Sequence, residues 1–121
     1  MTKNISTKKL LTTIVQGIEE RKGENIISLD FKNIENAICK YFVICEGNSN
    51  TQVAAIADGV AEYVHKNAGV KVWQRTGYEN AEWIILDYAE IMVHIFQPYV
   101  RNYYNIEELW ADCPTKKYEI Q

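Results

Sequence analysis

The chain reads as an α/β fold of the α+β kind, a mixed five-stranded sheet with flanking helices, and three observations carry that reading. Residues 83–96 have the two-residue periodicity of a pair of short strands folded back on each other. Cys39 to Arg75 runs strand, helix, strand, a βαβ unit whose crossover is right-handed if both strands share a sheet. With 121 residues and 47% hydrophobic content, the chain has enough apolar surface for one core and too little length for two, so residues 1–121 are expected to form a single domain.

The first helix is expected to begin near Ser6 or Thr7 and to carry Leu10, Leu11, Ile14, Val15 and Ile18 on one stripe. Arg21, Lys22 and Gly23 supply its stop, with cations for the C-terminal dipole and a glycine able to turn left-handed. A strand follows through Asn25 to Phe31, and a second, nearly continuous in apolar character, through Cys39 to Cys45. Ser49 and Gln52 stand in capping-box relation ahead of the stripe Val53, Ile56, Ala57, Val60 and Val64, which predicts a second helix ending near Gly69. Val70 to Arg75 reads as the third strand. After the hairpin, Pro98 opens an irregular piece, and Asn105 starts a short helix over Ile106 to Trp110.

The hairpin holds most of the functional information. With a two-residue turn at Ala89-Glu90, Ile84, Leu86, Tyr88, Ile91, Val93 and Ile95 share one face, which is a core. The other face then carries Trp83, Ile85, Asp87, Met92, His94 and Phe96, with Trp83 across from Phe96, Ile85 across from His94 and Asp87 across from Met92. Such a mixture is awkward for full burial, because Asp87 needs a partner, and awkward for full solvation, because Trp83, Met92 and Phe96 would be wet. Either a second layer covers this face and Asp87 caps a turn, or the face meets a partner, since partner surfaces favour aromatics and Met mixed with charge.

The remaining residues exclude more than they suggest. Thirteen Lys and Arg against sixteen Asp and Glu leave a formal charge of −3, so nothing draws the chain generally to nucleic acid or to an anionic membrane, and a basic protein surface is the better match. No apolar run approaches the roughly 20 residues of a membrane span, and the expectation is a cytoplasmic protein. Cys39, Cys45 and Cys113 lack metal-ligand spacing. On one strand the first two would stand about 20 Å apart, beyond a disulfide's reach, so free thiols are expected. Gly47-Asn48-Ser49 precedes a helix but lacks the glycines and the Lys-Ser/Thr pair of a phosphate loop. The D-x-D carboxylates of a nucleotidyltransferase are missing from both Val70–Arg75 and Trp83–Tyr88. His94 lacks a third group to orient it and reads as a packing residue with one hydrogen bond, while His65 reads as a surface or half-buried residue. Tyr99, Arg101, Tyr103 and Tyr104 come closest to an RNA-stacking surface, against which stands the reading of a loop pinned down by tyrosines.

Three segments together resemble the ribosomal silencing factor family, also called RsfS or Iojap-like. They are Tyr41-Phe42-Val43-Ile44-Cys45-Glu46-Gly47-Asn48-Ser49 with Gln52-Val53 and Ala55-Ile56-Ala57-Asp58; Trp83-Ile84-Ile85-Leu86-Asp87-Tyr88 running into Val93-His94-Ile95-Phe96; and Arg101, Tyr104 and Glu107-Glu108-Leu109-Trp110. Their order and spacing span nearly the whole chain. Two positions depart from the family's pattern: Lys40 stands where the family has Asp, and Ala89-Glu90 where its turn has Gly-Asp. A type I′ turn needs positive φ at both central residues, for which Ala is poorly suited.

The resemblance implies a domain shaped like a nucleotidyltransferase without the active site, and so no enzyme, no cofactor and no metal. It implies binding to the large ribosomal subunit through ribosomal protein L-fourteen, blocking subunit joining and lowering translation when nutrients are short. Relatives also suggest a homodimer and a role in large-subunit biogenesis. On this reading Trp83, Asp87, Tyr88 and Met92 contact the ribosomal protein, with Gln74 and Glu79 at the rim and Glu82 and Glu90 adding negative charge. A diverged nucleotidyltransferase-like enzyme and an RNA-binding module remain the alternatives.

Overall fold

Ser6 starts the first helix by accepting the Lys9 N–H on its hydroxyl at 3.0 Å. In this computed structural model, which describes residues 5–119, that helix is α1 (Thr7–Glu20), with Leu10, Ile14, Val15 and Ile18 buried and Leu11 half-buried. Its end departs from expectation. Lys22, not Gly23, adopts the left-handed conformation (φ 60°), and the bonds Lys22 N–H to Glu19 C=O and Gly23 N–H to Ile18 C=O close a Schellman motif. Gly23 is needed for space instead, because a Cβ there would lie 2.4 Å from Ile18 Cγ2.

β1 (Glu24–Asp30) and β2 (Tyr41–Glu46) follow as an antiparallel pair. Ser49 then caps α2 (Asn50–Ala68) by accepting the Gln52 N–H at 3.1 Å, and Gly69 ends it left-handed at φ 71°. The capping box is only half made: the Gln52 side-chain amide donates to the Arg21 carbonyl at 3.0 Å and so ties the start of α2 to the end of α1. Replacing Ser49 by Ala should cost about 1 kcal/mol, read as a lower midpoint in thermal unfolding. Every residue of the expected α2 stripe is fully buried.

β3 (Gln74–Thr76), β4 (Trp83–Asp87) and β5 (Ile91–Phe96) follow, and the sheet is six-stranded rather than five. α3 (Pro98–Tyr104) replaces the expected irregular piece, with Pro98 in its first turn where no N–H is needed. Asn105 ends α3 by donating its N–H to the Arg101 carbonyl and precedes α4 (Ile106–Leu109), but its side chain makes no N-cap bond; it donates to Glu108 instead. The strand absent from the sequence reading is β6 (Thr115–Tyr118), antiparallel to β1 at the sheet edge. Its two adjacent lysines are the kind of residue that protects a sheet edge.

The sheet order is β3-β4-β5-β2-β1-β6, parallel only between β2 and β5. β3 runs the same way as β2, as a βαβ unit requires, but the hairpin β4-β5 lies between them. β3 is also shorter than the expected Val70–Arg75. Gln74 already faces Asp87, the last residue of β4, so residues before it pass the hairpin turn and have no strand to join; Trp73 alone reaches back, donating its N–H to the Asp87 carbonyl.

Apolar side chains bury both faces of the central strands. α1 and α2 cover one face, with Ile26, Val43, Cys45, Ile84, Leu86, Tyr88, Ile91, Val93 and Ile95 in that core. The second face holds Ile27, Leu29, Phe42, Ile44 and Phe96 under a cover that includes Phe31, Val100, Trp110 and Cys113. Burial on two sides explains why β2 is apolar almost without interruption.

Candidate functional site

The hairpin pairs in the register its alternation demands, with Trp83 opposite Phe96, Ile85 opposite His94 and Asp87 opposite Met92. The six residues assigned to the core face are all buried. On the other face the pairing builds rows across the sheet: Gln74, Asp87, Met92, Phe42 and Leu29 in one, Thr76, Ile85, His94, Ile44 and Ile27 in the next. Moving along each row from β3 toward β1, exposure falls from open through half-buried to closed. The cover reaches β5 and stops. Trp83, Ile85, Asp87 and Met92 therefore form a half-covered ledge, and the mixed composition that fits neither a core nor a free surface is the composition of a boundary.

Trp83 and Asp87 on the ledge are held by hydrogen bonds. The Trp83 indole stacks on Phe96 at 4.8 Å between centroids, lies 5.1 Å from Tyr104, and donates its Nε1–H to His94 Nδ1 at 3.1 Å. Asp87 accepts the Ala89 N–H at 2.7 Å, so it caps the turn while remaining partly open to water. That bond supports the strained Ala89, the one turn residue of the two with positive φ (70°), and Glu90 N–H to Tyr88 C=O closes a γ-turn-like ring around it. The turn is thus not type I′.

The other candidates separate. Gln74 is exposed directly across from Asp87, and Glu79 is exposed in the turn leading into β4. Tyr88 points into the α1–α2 core, where burial pushes its hydroxyl pKa up and the hydroxyl has no hydrogen-bond partner among the described residues. It does not join the ledge. Tyr104, which the sequence offered as part of an RNA-stacking surface, instead packs against the Trp83 indole, a contact that only the fold shows.

Charge near the ledge is largely engaged. Glu90 accepts from Thr7 at 2.7 Å and pairs with Lys40 at 3.2 Å, contacts that hold its carboxyl below the ordinary carboxylate value. The two departures from the family pattern thus meet each other: Lys40 brings a cation where the turn brings Glu90. Glu82 accepts from the Tyr99 hydroxyl at 2.6 Å.

The side chains of Cys39, Cys45 and His94 are shut away. Burial pushes the Cys45 thiol up to about 12 and Cys39 to about 11, so both are unreactive thiols at neutral pH. Burial lowers His94 to about 4, leaving a neutral imidazole among Phe42, Trp83 and Phe96. His65 is exposed on α2. Among the described residues no three His, Cys, Asp or Glu side chains gather as a metal site, and no helix is long and apolar enough to cross a membrane. The turn before α2 is lined by Glu24 and Glu46 against the single cation of Lys22, a balance that disfavours phosphate. Arg101, far from tracking phosphates, is enclosed by Glu46 and Glu107, while Tyr99, Tyr103 and Tyr104 lie exposed on a helix rather than pinning a loop.

Comparison with known proteins bears on this geometry. A family model described as ribosomal silencing factor during starvation matches residues 4–121. The chain is 37% identical over 115 residues to ribosomal silencing factor RsfS of Halalkalibacterium halodurans, covering 95% of this chain and 97% of that protein. It is 33% identical over 74 residues to the chloroplastic protein Iojap of Zea mays, covering 61% of this chain and 32% of that one. A crystal structure of a Chromobacterium violaceum protein superposes with a TM-score of 0.83 at 33% identity, covering 88% of each chain.

Proposed function

This chain belongs to the ribosomal silencing factor family, and from that premise we propose that it docks on ribosomal protein L-fourteen of the large subunit and thereby keeps the small subunit from joining. Translation falls when nutrients are short, and a further role in large-subunit biogenesis goes with the family reading. The observation that carries the proposal is the ledge: an indole, a thioether and a carboxylate held at the boundary of the second-face cover, half open to solvent. Trp83 and Met92 would lose their remaining water on docking, and Asp87 would meet a basic partner, with Gln74 and Glu79 at the rim. Tyr88 supports the hairpin from the core side.

Steric occlusion asks for no catalysis, substrate or cofactor, and a ribosome-bound role sets the chain in the cytoplasm. A homodimer built on the ledge would have to open before docking. The test is to mix the purified chain with isolated L-fourteen protein and, separately, to add it to dissociated subunits under joining conditions. Capture of the protein without RNA, together with subunits that stay apart, is the expected result. Subunits that join as fast as in the absence of the chain would contradict it. Nucleotide binding with Mg²⁺ would favour a diverged nucleotidyltransferase, and a steep loss of RNA affinity with salt would favour an RNA-binding module.

A further inference from the structure

Resting on the docking reading above, we propose that His94 is the positioning residue of the ledge: its Nδ1 lone pair fixes which edge of the Trp83 indole faces outward. Trp83 and His94 lie on one sheet face as diagonal neighbours, since Trp83 pairs with Phe96 and Ile85 with His94. The indole Nε1–H donates to His94 Nδ1 at 3.1 Å, so Nδ1 must carry a free lone pair and the ring proton must sit on Nε2.

That tautomer comes at a cost. Nε2–H is buried without a hydrogen-bond partner among the described residues, and His94 is only 4% exposed, packed among aromatic rings with Phe42 at 4.4 Å. An aliphatic side chain would fill this pocket without the buried Nε2–H, though it would take the acceptor away from the Trp83 N–H. What the imidazole supplies and an aliphatic cannot is the acceptor. Stacking on Phe96 sets the plane of the indole, yet a stacked ring can still turn over within that plane. The bond to Nδ1 removes this freedom, so the indole meets its partner in one pose and loses less entropy on docking.

Two variants separate positioning from packing. His94→Asn keeps a carbonyl oxygen near the place of Nδ1, whereas His94→Leu fills similar space and accepts nothing. Two readouts are followed: the Trp83 indole N–H resonance, assigned with Trp83→Phe, and the affinity for isolated L-fourteen protein. Positioning by His94 predicts that Leu shifts the resonance and weakens binding about tenfold, while Asn stays within about threefold of the unmodified protein. The opposite order, with Leu better tolerated than Asn, is the mark of a packing residue and overturns the proposal.

A measurement on the unmodified chain does not depend on how either variant folds. The long-range ¹H–¹⁵N pattern of His94 at neutral pH should show the Nε2-protonated tautomer, and the Nδ1-protonated form would overturn the proposal. If Leu shifts the resonance while Trp83→Ala leaves affinity unchanged, the docking reading falls and the bond between the rings stands; an unmoved resonance removes His94 from its role whatever the affinity does.

Discussion

Replacing Arg101 by Met should destabilise the protein by about 3 kcal/mol, the lower end of the range for removing one partner of a buried ion pair, because Glu107 retains some access to water. The guanidinium side chain is 8% exposed and all of its bonds join separate elements. Nε and Nη2 fork onto the two oxygens of Glu107 at 2.7 and 3.2 Å, while Nη1 donates to Glu46 at 3.0 Å and to the Asn25 carbonyl at 2.8 Å. Burial alone would lower the Arg101 pKa, but the Glu107 hydrogen bond and the charges of Glu107 and Glu46 raise it above its ordinary value. Methionine would leave the Glu46 carboxylate facing an apolar neighbour. It would also untie α3 and α4 from β1 and β2, and with them the cover that ends beside Trp83. Arg101→Lys should fall between the two, since it keeps the charge but loses the fork. Denaturant unfolding measures all three, and a Met variant as stable as the parent would show that the cluster contributes nothing net.

Acid should weaken the fold through His94. Its folded pKa of about 4 lies below the ordinary value of 6.5, so the unfolded chain takes the proton first. The stabilisation is complete above 6.5 and is lost as pH falls toward 4, amounting to about 3 kcal/mol at about 1.4 kcal/mol per pH unit. Carboxylates titrate in part of the same window, so the informative quantity is the difference between the unmodified protein and His94→Leu at each pH. That difference should narrow in favour of Leu on acidification through this window. Parallel stability curves would mean that His94 titrates alike in both states.

The hairpin was legible because its periodicity is local: fourteen consecutive residues state the register, and the pairing repeats it. Its turn was not, since Ala89 takes a positive φ with the Asp87 carboxylate bonded to its N–H, and residue preferences do not contain that support. Sheet order escaped for a different reason. A strand-helix-strand unit looks the same in sequence whether its strands are neighbours or are separated by a hairpin that comes later. β6 escaped because an edge strand bearing Lys116 and Lys117 has no apolar alternation to detect, and α3 because seven residues with three exposed tyrosines show little stripe.

The ledge was half legible. Its residues follow from alternation, but its half-coverage depends on where α3, α4 and Trp110 come to rest, which is settled by contacts such as Arg101 to Asn25 across 76 positions. The same is true of Lys40 and Glu90. Read singly they look like two departures, and only the fold shows them as one ion pair. Both are substantially exposed, so the pair adds little stability by itself.

If the half-covered indole anchors a basic protein partner, as proposed, titration of isolated L-fourteen protein with the unmodified chain and with Trp83→Ala will show it. Trp83→Ala should lose about 2 kcal/mol, roughly thirtyfold in Kd, while still folded. Equal affinity in a folded variant would contradict it.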